Sequence, residues 1–495
     1  MEEVMYQSTR SGQRVSASQA ILKGLADDGG LFVPERIPKL EKSMEELKEL
    51  SYQDTAYEVM RLLLTDFTEE ELKGCIRNAY DEKFDCEEIA PLAEADGRYF
   101  LELFHGKTIA FKDMALSILP HLLITAAKKN QVTREIVILT ATSGDTGKAA
   151  LAGFSRVPGT RIAVFYPKHG VSPIQEKQMV TEKGENTLVV GINGNFDEAQ
   201  TGVKKMFHDK ALVEELREKG FQFSSANSIN VGRLVPQIVY YVYAYAKLYQ
   251  NGCIARDEKI NIVVPTGNFG NILAAFYAKQ MGLPVKKLIC ASNANKVLFD
   301  FFESGKYDKN REFYVTSSPS MDILVSSNLE RLIYRIAGND PGKTEEYMKA
   351  LSEGGSYEIT AEMREGLSDF YGGYATEEET MQEIREIYRN ASYVIDPHTA
   401  VASRVYRKYR EETGDTETVT LIASTASPYK FTGTVMRAIA PEKELSDDFA
   451  LADALSRLSN TKVPQAVEEI RHAEIVHKTV CEVEEMPKVV REFLS

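Results

Sequence analysis

From about residue 100 onward, short runs of β-branched and apolar residues alternate with amphipathic helical segments, and this alternation constrains the fold more than any other feature. The runs at 136–140, 161–166, 187–192, 221–223, 260–265 and 287–291 read as buried strands, because apolar runs this short suit parallel strands covered on both faces. Helices separate them. One begins at Ser172, Pro173, Ile174 and Gln175, where Ser can cap, Pro suits the first helical position and Gln stands at the capping-box position. One more run, 419–423, precedes Ser424 and Thr425. The expectation is an α/β protein with predominantly parallel sheets.

The flanks differ. Residues 1–98 read as a mostly helical unit, with Ala56, Val59, Met60 and Leu63 at helical spacing after start signals at Ser51 and Asp54. Adjacent glycines and two prolines make 29–38 a loop or a short extended segment. The stretch 342–389 is charged and helical in pattern, and Asp396 with Pro397 suits the cap and first residue of the next helix. The expected organisation is a helical N-terminal domain at 1–98, a two-lobed catalytic body at 99–440 with its smaller lobe at about 120–225, and a C-terminal helical extension at 441–495.

Charge and cysteine usage exclude several function classes. With 59 Lys and Arg against 73 Asp and Glu the net charge is −14, which argues against a general nucleic-acid or anionic-membrane binder. An anionic ligand must then meet local cations or backbone amides. No apolar run approaches the ~20 residues that cross a bilayer, and the N-terminus lacks signal character. A cytoplasmic protein is expected. Cys75, Cys86, Cys253, Cys290 and Cys481 are scattered without a CxxC pair, and the histidines show no HExxH spacing. Reduced thiols and no metal site are expected.

Three loops carry residues suited to one chemistry. In FHGKTIAFKDMAL, Lys112 lies beside apolar Phe111, where lost solvation of the ammonium frees the amine to form an imine with an aldehyde. In TATSGDTGKAA, Thr142, Ser143 and Thr146 offer hydroxyls beside helix-start amides, and Gly144 and Gly147 permit close approach, a receptor for a carboxylate or phosphate. In VVPTGNFGNILAAF, the turn from Gly267 through Asn268, Phe269, Gly270 and Asn271 can aim several N–H groups at one anion. Neither GxxxxGK[ST] nor GxGxxG occurs there, so a single compact phosphate fits better than a nucleotide. Taken singly, each loop has an ordinary structural explanation: a snorkelling surface lysine, a helix cap, a strand-to-helix turn. Together they describe a site for pyridoxal phosphate acting on an amino acid, with a hydroxyl at the strand end formed by Ser424 and Thr425 suited to the pyridine nitrogen.

Longer stretches carry a family resemblance: GLADDGGLFVPE, FHGKTIAFKD, TSGDTG, VSPIQEKQMV, SANSINVGRLVPQIVYY, PTGNFGN, SPSMDILVSSNLERL, DPHTAV and ASTASPYKF. They resemble the threonine synthases of the bacterial and fungal branch, within the fold-type II, tryptophan synthase β-like, pyridoxal-phosphate enzymes. The resemblance implies two mostly parallel-sheet lobes plus a helical N-terminal domain. It implies that Lys112 is the cofactor's lysine and proton shuttle, and that Gly267, Asn268, Phe269, Gly270 and Asn271 surround the cofactor phosphate. It also places Thr425 at the pyridine nitrogen, Asp145 near the phenolic oxygen, and Thr142, Ser143, Gly144 and Thr146 at the substrate carboxylate. The implied reaction converts O-phospho-L-homoserine and water to L-threonine and phosphate, the last step of threonine biosynthesis from aspartate. For the substrate phosphate Arg233 leads, followed by Lys107, Lys148 and Lys430, with Asn227, Ser228 and Asn328 as polar partners. Two positions depart from the family pattern: Lys107 stands for Pro, and Ser427 for His. A phospho-lyase giving 2-oxobutyrate and a non-catalytic phospho-amino-acid sensor are the alternatives. A monomer or homodimer is expected.

Overall fold

Each of the apolar runs forms a strand, and the strands assemble into two sheets. The computed structural model describes residues 3–142, 145–171, 173–443 and 447–495. In the larger lobe, Ile260–Pro265 and Thr420–Ser424 are buried along their whole length and lie at the centre of a six-stranded sheet. The order is Phe370–Tyr374, Val285–Ser292, Ile260–Pro265, Thr420–Ser424, Arg98–Glu102, Leu92–Ala95, parallel except for the last pair. The smaller lobe is an all-parallel sheet ordered Thr479–Cys481, Thr187–Ile192, Thr160–Pro167, Glu135–Ala141, Phe221–Ser224.

Helix Val231–Gln250 is buried all round from Val231 to Ala246, as befits a helix apolar on every face. It packs against Gly270–Gln280 of the larger lobe and against Tyr52–Met60 of the N-terminal unit. Ser51 caps the latter by accepting from Asp54 N, so the expected start signal works; Leu63 is buried just beyond its end. Asp396 caps Pro397–Thr413, accepting from the N–H groups of His398 and Thr399.

Several elements differ from the expectation. The N-terminal unit also carries an antiparallel sheet of Arg14–Val15, Tyr6–Ser8 and Phe32–Pro34. The strand Phe370–Tyr374 interrupts the stretch read as helical; a Cβ at Gly372 or Gly373 would come within 2.9 Å of Phe302 or 2.5 Å of Val405, so packing requires both glycines. The hairpin of Leu92–Ala95 and Arg98–Glu102 already belongs to the larger lobe's sheet, ahead of the boundary expected at residue 98. The tail holds helices Asp448–Ser459, Gln465–Arg471 and Met486–Phe493, yet it also returns Thr479–Cys481 to the smaller lobe beside Thr187–Ile192. Ser172 lies outside the described residues; the helix that follows runs Pro173–Val180. No helix among the described residues is long and apolar enough to cross a membrane.

His105 clamps the N-terminal unit to the larger lobe. Its Nδ1 is 2.6 Å from Asp85 and its Nε2 2.9 Å from Glu102. Burial opposes the imidazolium, but the two carboxylates outweigh it and raise the pKa to about 9. A folded-state pKa above the unfolded value adds stability that is complete below the unfolded pKa of about 6.5 and is lost as pH rises through the folded one. The stability difference between the parent and His105→Gln, followed by urea unfolding, should be constant below pH ~6.5 and shrink as pH approaches ~9.

Candidate active site

The loops singled out in the sequence lie at the carboxyl ends of parallel strands, where open α/β sheets place ligands. The loop after Arg98–Glu102 is pinned to the end of its neighbour Thr420–Ser424. Leu103 N donates to Ser424 O at 3.0 Å, Phe111 N to Thr425 O at 2.8 Å, and Ser427 N to Ile109 O at 3.0 Å. Ile109 is held in the left-handed region at φ 51°, a conformation costing a β-branched residue about 1–2 kcal/mol. Asp113, buried beneath this loop, accepts from Thr108 N at 2.7 Å and Thr108 Oγ1 at 2.6 Å, and burial raises its pKa.

Lys112 opens helix Asp113–Leu116 with its side chain 12% exposed. Its Nζ stands 3.2 Å from Ser320 Oγ and 3.5 Å from Asp145 Oδ2. Burial lowers its pKa to about 8, Asp145 resists that fall, and the charges of Lys430 and Arg233 add to it. The amine is therefore far more available near neutrality than that of an exposed lysine. Asp145, first residue of helix Asp145–Phe154, also accepts from Ser320 Oγ at 2.9 Å and Gln175 Nε2 at 3.2 Å, and pairs with Lys430 at 3.1 Å. Burial alone would raise its pKa, yet Lys430, Lys112 and Lys148 hold it well below the usual carboxylate range. Lys430 and Lys148 both reach the Thr108 carbonyl, at 3.0 Å and 3.5 Å, and burial together with Lys430 pushes Lys148 down. Lys430 and Gln175 line a cavity of about 490 Å³ with Pro319 and Phe431.

The glycine loop is braced from behind. Asn268 O accepts from Asn328 N at 3.1 Å and Asn328 Nδ2 at 2.9 Å, while Gly267 O accepts from Ser326 Oγ at 2.6 Å. Arg331 then binds Asn328 Oδ1, Ile229 O and Phe32 O, tying loop, lobe and N-terminal unit together. Phe269 turns left-handed at φ 62° and leads into Gly270–Gln280 without a side-chain cap. Among the described residues, no protein group accepts from the N–H groups of Gly267, Asn268, Gly270 and Asn271. Asn271 Oδ1 accepts from Tyr240 OH at 2.8 Å and also from Tyr241 OH, and its buried Nδ2 has no partner among the described residues. Unpaired donors at the start of a helix fit a phosphate monoester.

Arg233 is 3% exposed near the start of Val231–Gln250. Its Nη1 donates to Ala226 O at 2.9 Å, its Nε has no partner among the described residues, and burial lowers its pKa to about 10. Thr425 is buried at the end of its strand, opposite the lysine loop. Thr142 Oγ1 accepts from Gly147 N at 3.1 Å, Thr146 is half-buried in the first turn of the same helix, and Ser143 and Gly144 lie outside the described residues. Lys107 and Asn227 are exposed, Ser228 is half-buried, and Ser427 caps the turn Pro428–Lys430. Both polar groups of Asn328 are spent on the glycine loop and Arg331, which makes it a brace. Sequence reasoning assigned no role to Ser320 or to His398, whose Nε2 accepts from Ser320 N at 3.1 Å; the signal available was the pair of motifs SPSM and DPHTAV.

A lysine of lowered pKa in a loop pinned to the strand end at Thr425, with a helix-start amide cradle nearby, is what a pyridoxal-phosphate-dependent enzyme needs, and residues 85–425 match the family described as pyridoxal-phosphate dependent enzyme. Residues 5–80 match the threonine synthase N terminus and residues 399–480 the threonine synthase C-terminal family. Threonine synthase of Schizosaccharomyces pombe is 37% identical over 88% of this chain and 90% of that protein. The structure of pyridoxal-phosphate-bound threonine synthase from Brucella melitensis superposes with a TM-score of 0.85 at 33% identity, covering 99% of each chain. Threonine synthase-like 1 of Homo sapiens is 42% identical over 86% of this chain, which spans 59% of that protein's length. The chain belongs to the threonine synthase family.

Proposed function

We propose that this enzyme converts O-phospho-L-homoserine and water to L-threonine and phosphate. The observation that carries this reading is the coexistence of the amide cradle with a second set of buried cations, Lys148, Lys430 and Arg233. One phosphate on the cofactor and another on the substrate account for both. Asp145 pairs with Lys430, whereas Lys148 and Arg233 form no ion pair among the described residues, and a phosphate dianion beside them would restore the charged form that burial disfavours in both.

In this reading Gly267, Asn268, Phe269, Gly270 and Asn271 hold the cofactor phosphate, and Thr425 offers its hydroxyl to the pyridine nitrogen without protonating it. Thr142, Ser143, Gly144 and Thr146 receive the substrate carboxylate, and Asp145 orders the lysines around the reacting carbons. Bound pyridoxal phosphate supplies the electron sink that lets protons leave the α- and then the β-carbon while phosphate departs from the γ-carbon. Lys112 takes the α-proton, a task for which a pKa near 8 is well placed. Burial of Lys112 and Asp145 keeps bulk water away until phosphate has left; a proton then returns to the γ-carbon, one water adds its oxygen at the β-carbon, and the α-carbon is reprotonated.

Arg233→Ala is expected to raise KM for the phosphorylated substrate about 10- to 100-fold, the scale of a lost charge-assisted hydrogen bond, with a smaller change in kcat. Unchanged KM would remove Arg233 from this role and leave Lys148 and Lys430. Incubation with O-phospho-L-homoserine, followed by NMR of the products, tests the reading as a whole: threonine supports it and 2-oxobutyrate supports the phospho-lyase. A cytoplasmic location belongs to the same proposal, supported by five free cysteines that suit a reducing compartment.

A further inference from the structure

Behind the Lys112 amine lies a chain of hydrogen bonds that the reaction as described does not use. Asp396, fully buried, accepts from His398 Nδ1 at 2.8 Å through Oδ1, and its Oδ2 accepts from Thr399. A carboxylate that only accepts places the imidazole hydrogen on Nδ1. Nε2 must then be the acceptor, and it takes the Ser320 N–H at 3.1 Å. Ser320 Oγ in turn donates its single hydrogen to Asp145 at 2.9 Å, so a lone pair faces Lys112 Nζ at 3.2 Å.

The Ser320 backbone has little freedom. Its turn, Pro319–Met321, follows a segment knotted by Asn293, whose Nδ2 donates to Thr316 Oγ1, Ser318 Oγ and Asp322 Oδ1 at 2.8 to 3.0 Å. A Cβ on Gly267 would come within 2.4 Å of Ser320 O, so the same turn abuts the glycine loop.

We propose that Ser320 is a positioning residue for Lys112, held by the Asp396–His398 pair so that its hydroxyl separates the Lys112 amine from the Asp145 carboxylate. Without that hydroxyl the Lys112–Asp145 ion pair, now held at 3.5 Å, tightens, and the amine is trapped as ammonium. The other charged groups facing Lys112 are Lys430 and Arg233, which both favour the neutral amine, while His398 is flanked by Asp396, Ser320 and the Phe431 ring at 5.0 Å.

The inference rests on Lys112 being the cofactor's lysine but not on the identity of the substrate, and its test needs neither. The full chain, freed of cofactor, is labelled with acetic anhydride across a pH series, and acetylation of Lys112 is followed by mass spectrometry. Ser320→Ala should move the Lys112 profile upward by about one pH unit, roughly tenfold less labelling near neutrality. Ser320→Thr should restore it. His398→Ala should move it in the same direction, whereas His398→Gln, which can still accept from the Ser320 N–H, should not. In the cofactor-loaded enzyme the Ser320→Ala loss should fall on kcat, with KM within about twofold of the parent. An unchanged profile in Ser320→Ala would overturn the proposal, as would equal displacement in the two His398 variants. Ser320→Ala deletes one hydroxyl from a turn fixed by other residues, so this variant and its Thr partner decide the matter even if His398→Ala does not fold.

Discussion

Replacing Lys112 by alanine is expected to reduce turnover by about 10⁴-fold or more, because in the proposed reaction one amine both carries the cofactor and moves the α-proton. Folding should survive the change. Among the described residues its polar partners are Ser320 and Asp145, with the Phe111 ring centroid 6.0 Å from Nζ, and Asp145 keeps Lys430, Ser320 and Gln175 as partners when the lysine is gone. The variant should also lose the band that borohydride bleaches in the parent, and the reduced parent should carry the cofactor's mass on the peptide containing Lys112. Turnover within tenfold of the parent would show that another group performs both tasks.

The second large effect is expected at Gly267. A Cβ there would meet the Ser320 carbonyl at 2.4 Å, a contact with backbone on a braced turn rather than with a movable side chain. Gly267→Ala must displace either the glycine loop or the Ser320 turn, at a cost of about 1–3 kcal/mol on the scale of overpacking. Cofactor affinity should fall by about 10- to 100-fold in a titration followed by absorbance. Gly270→Ala provides the contrast, because its Cβ would find Asn328 Nδ2 at 3.5 Å, an ordinary contact, and alanine favours the helix that starts there. Affinity within about twofold of the parent is expected for Gly270→Ala. Equal losses in both variants would contradict this reading of the loop.

The strands that were legible in the sequence are those whose environment is uniform. Ile260–Pro265 and Thr187–Ile192 are covered on both faces, so every position favours an apolar residue and the run stands out. Arg98–Glu102, with Tyr99 and Glu102 half-buried and the rest buried, was hidden by its charges. Arg98 is buried against Asp96 at 2.6 Å and Glu383 at 3.2 Å, and the second partner is 285 positions away. Phe370–Tyr374 was masked by glycines that tertiary packing demands, and Thr479–Cys481 by its exposed edge position. The candidate site divides along the same line. Lys112 and the loop at 267–271 are visible because local residue types carry their chemistry. Ser320, His398 and the bracing of Asn328 are not, since each acts through partners brought together from distant segments.

The central claim concerns which bond breaks and where water enters, and turnover of O-phospho-L-homoserine in heavy-oxygen water tests it most directly. If phosphate leaves by carbon–oxygen cleavage and water adds at the β-carbon, the threonine formed should carry one solvent oxygen, in its hydroxyl, and the released phosphate none. Solvent oxygen in the phosphate with homoserine as the organic product, or phosphate released with 2-oxobutyrate in place of threonine, would contradict it.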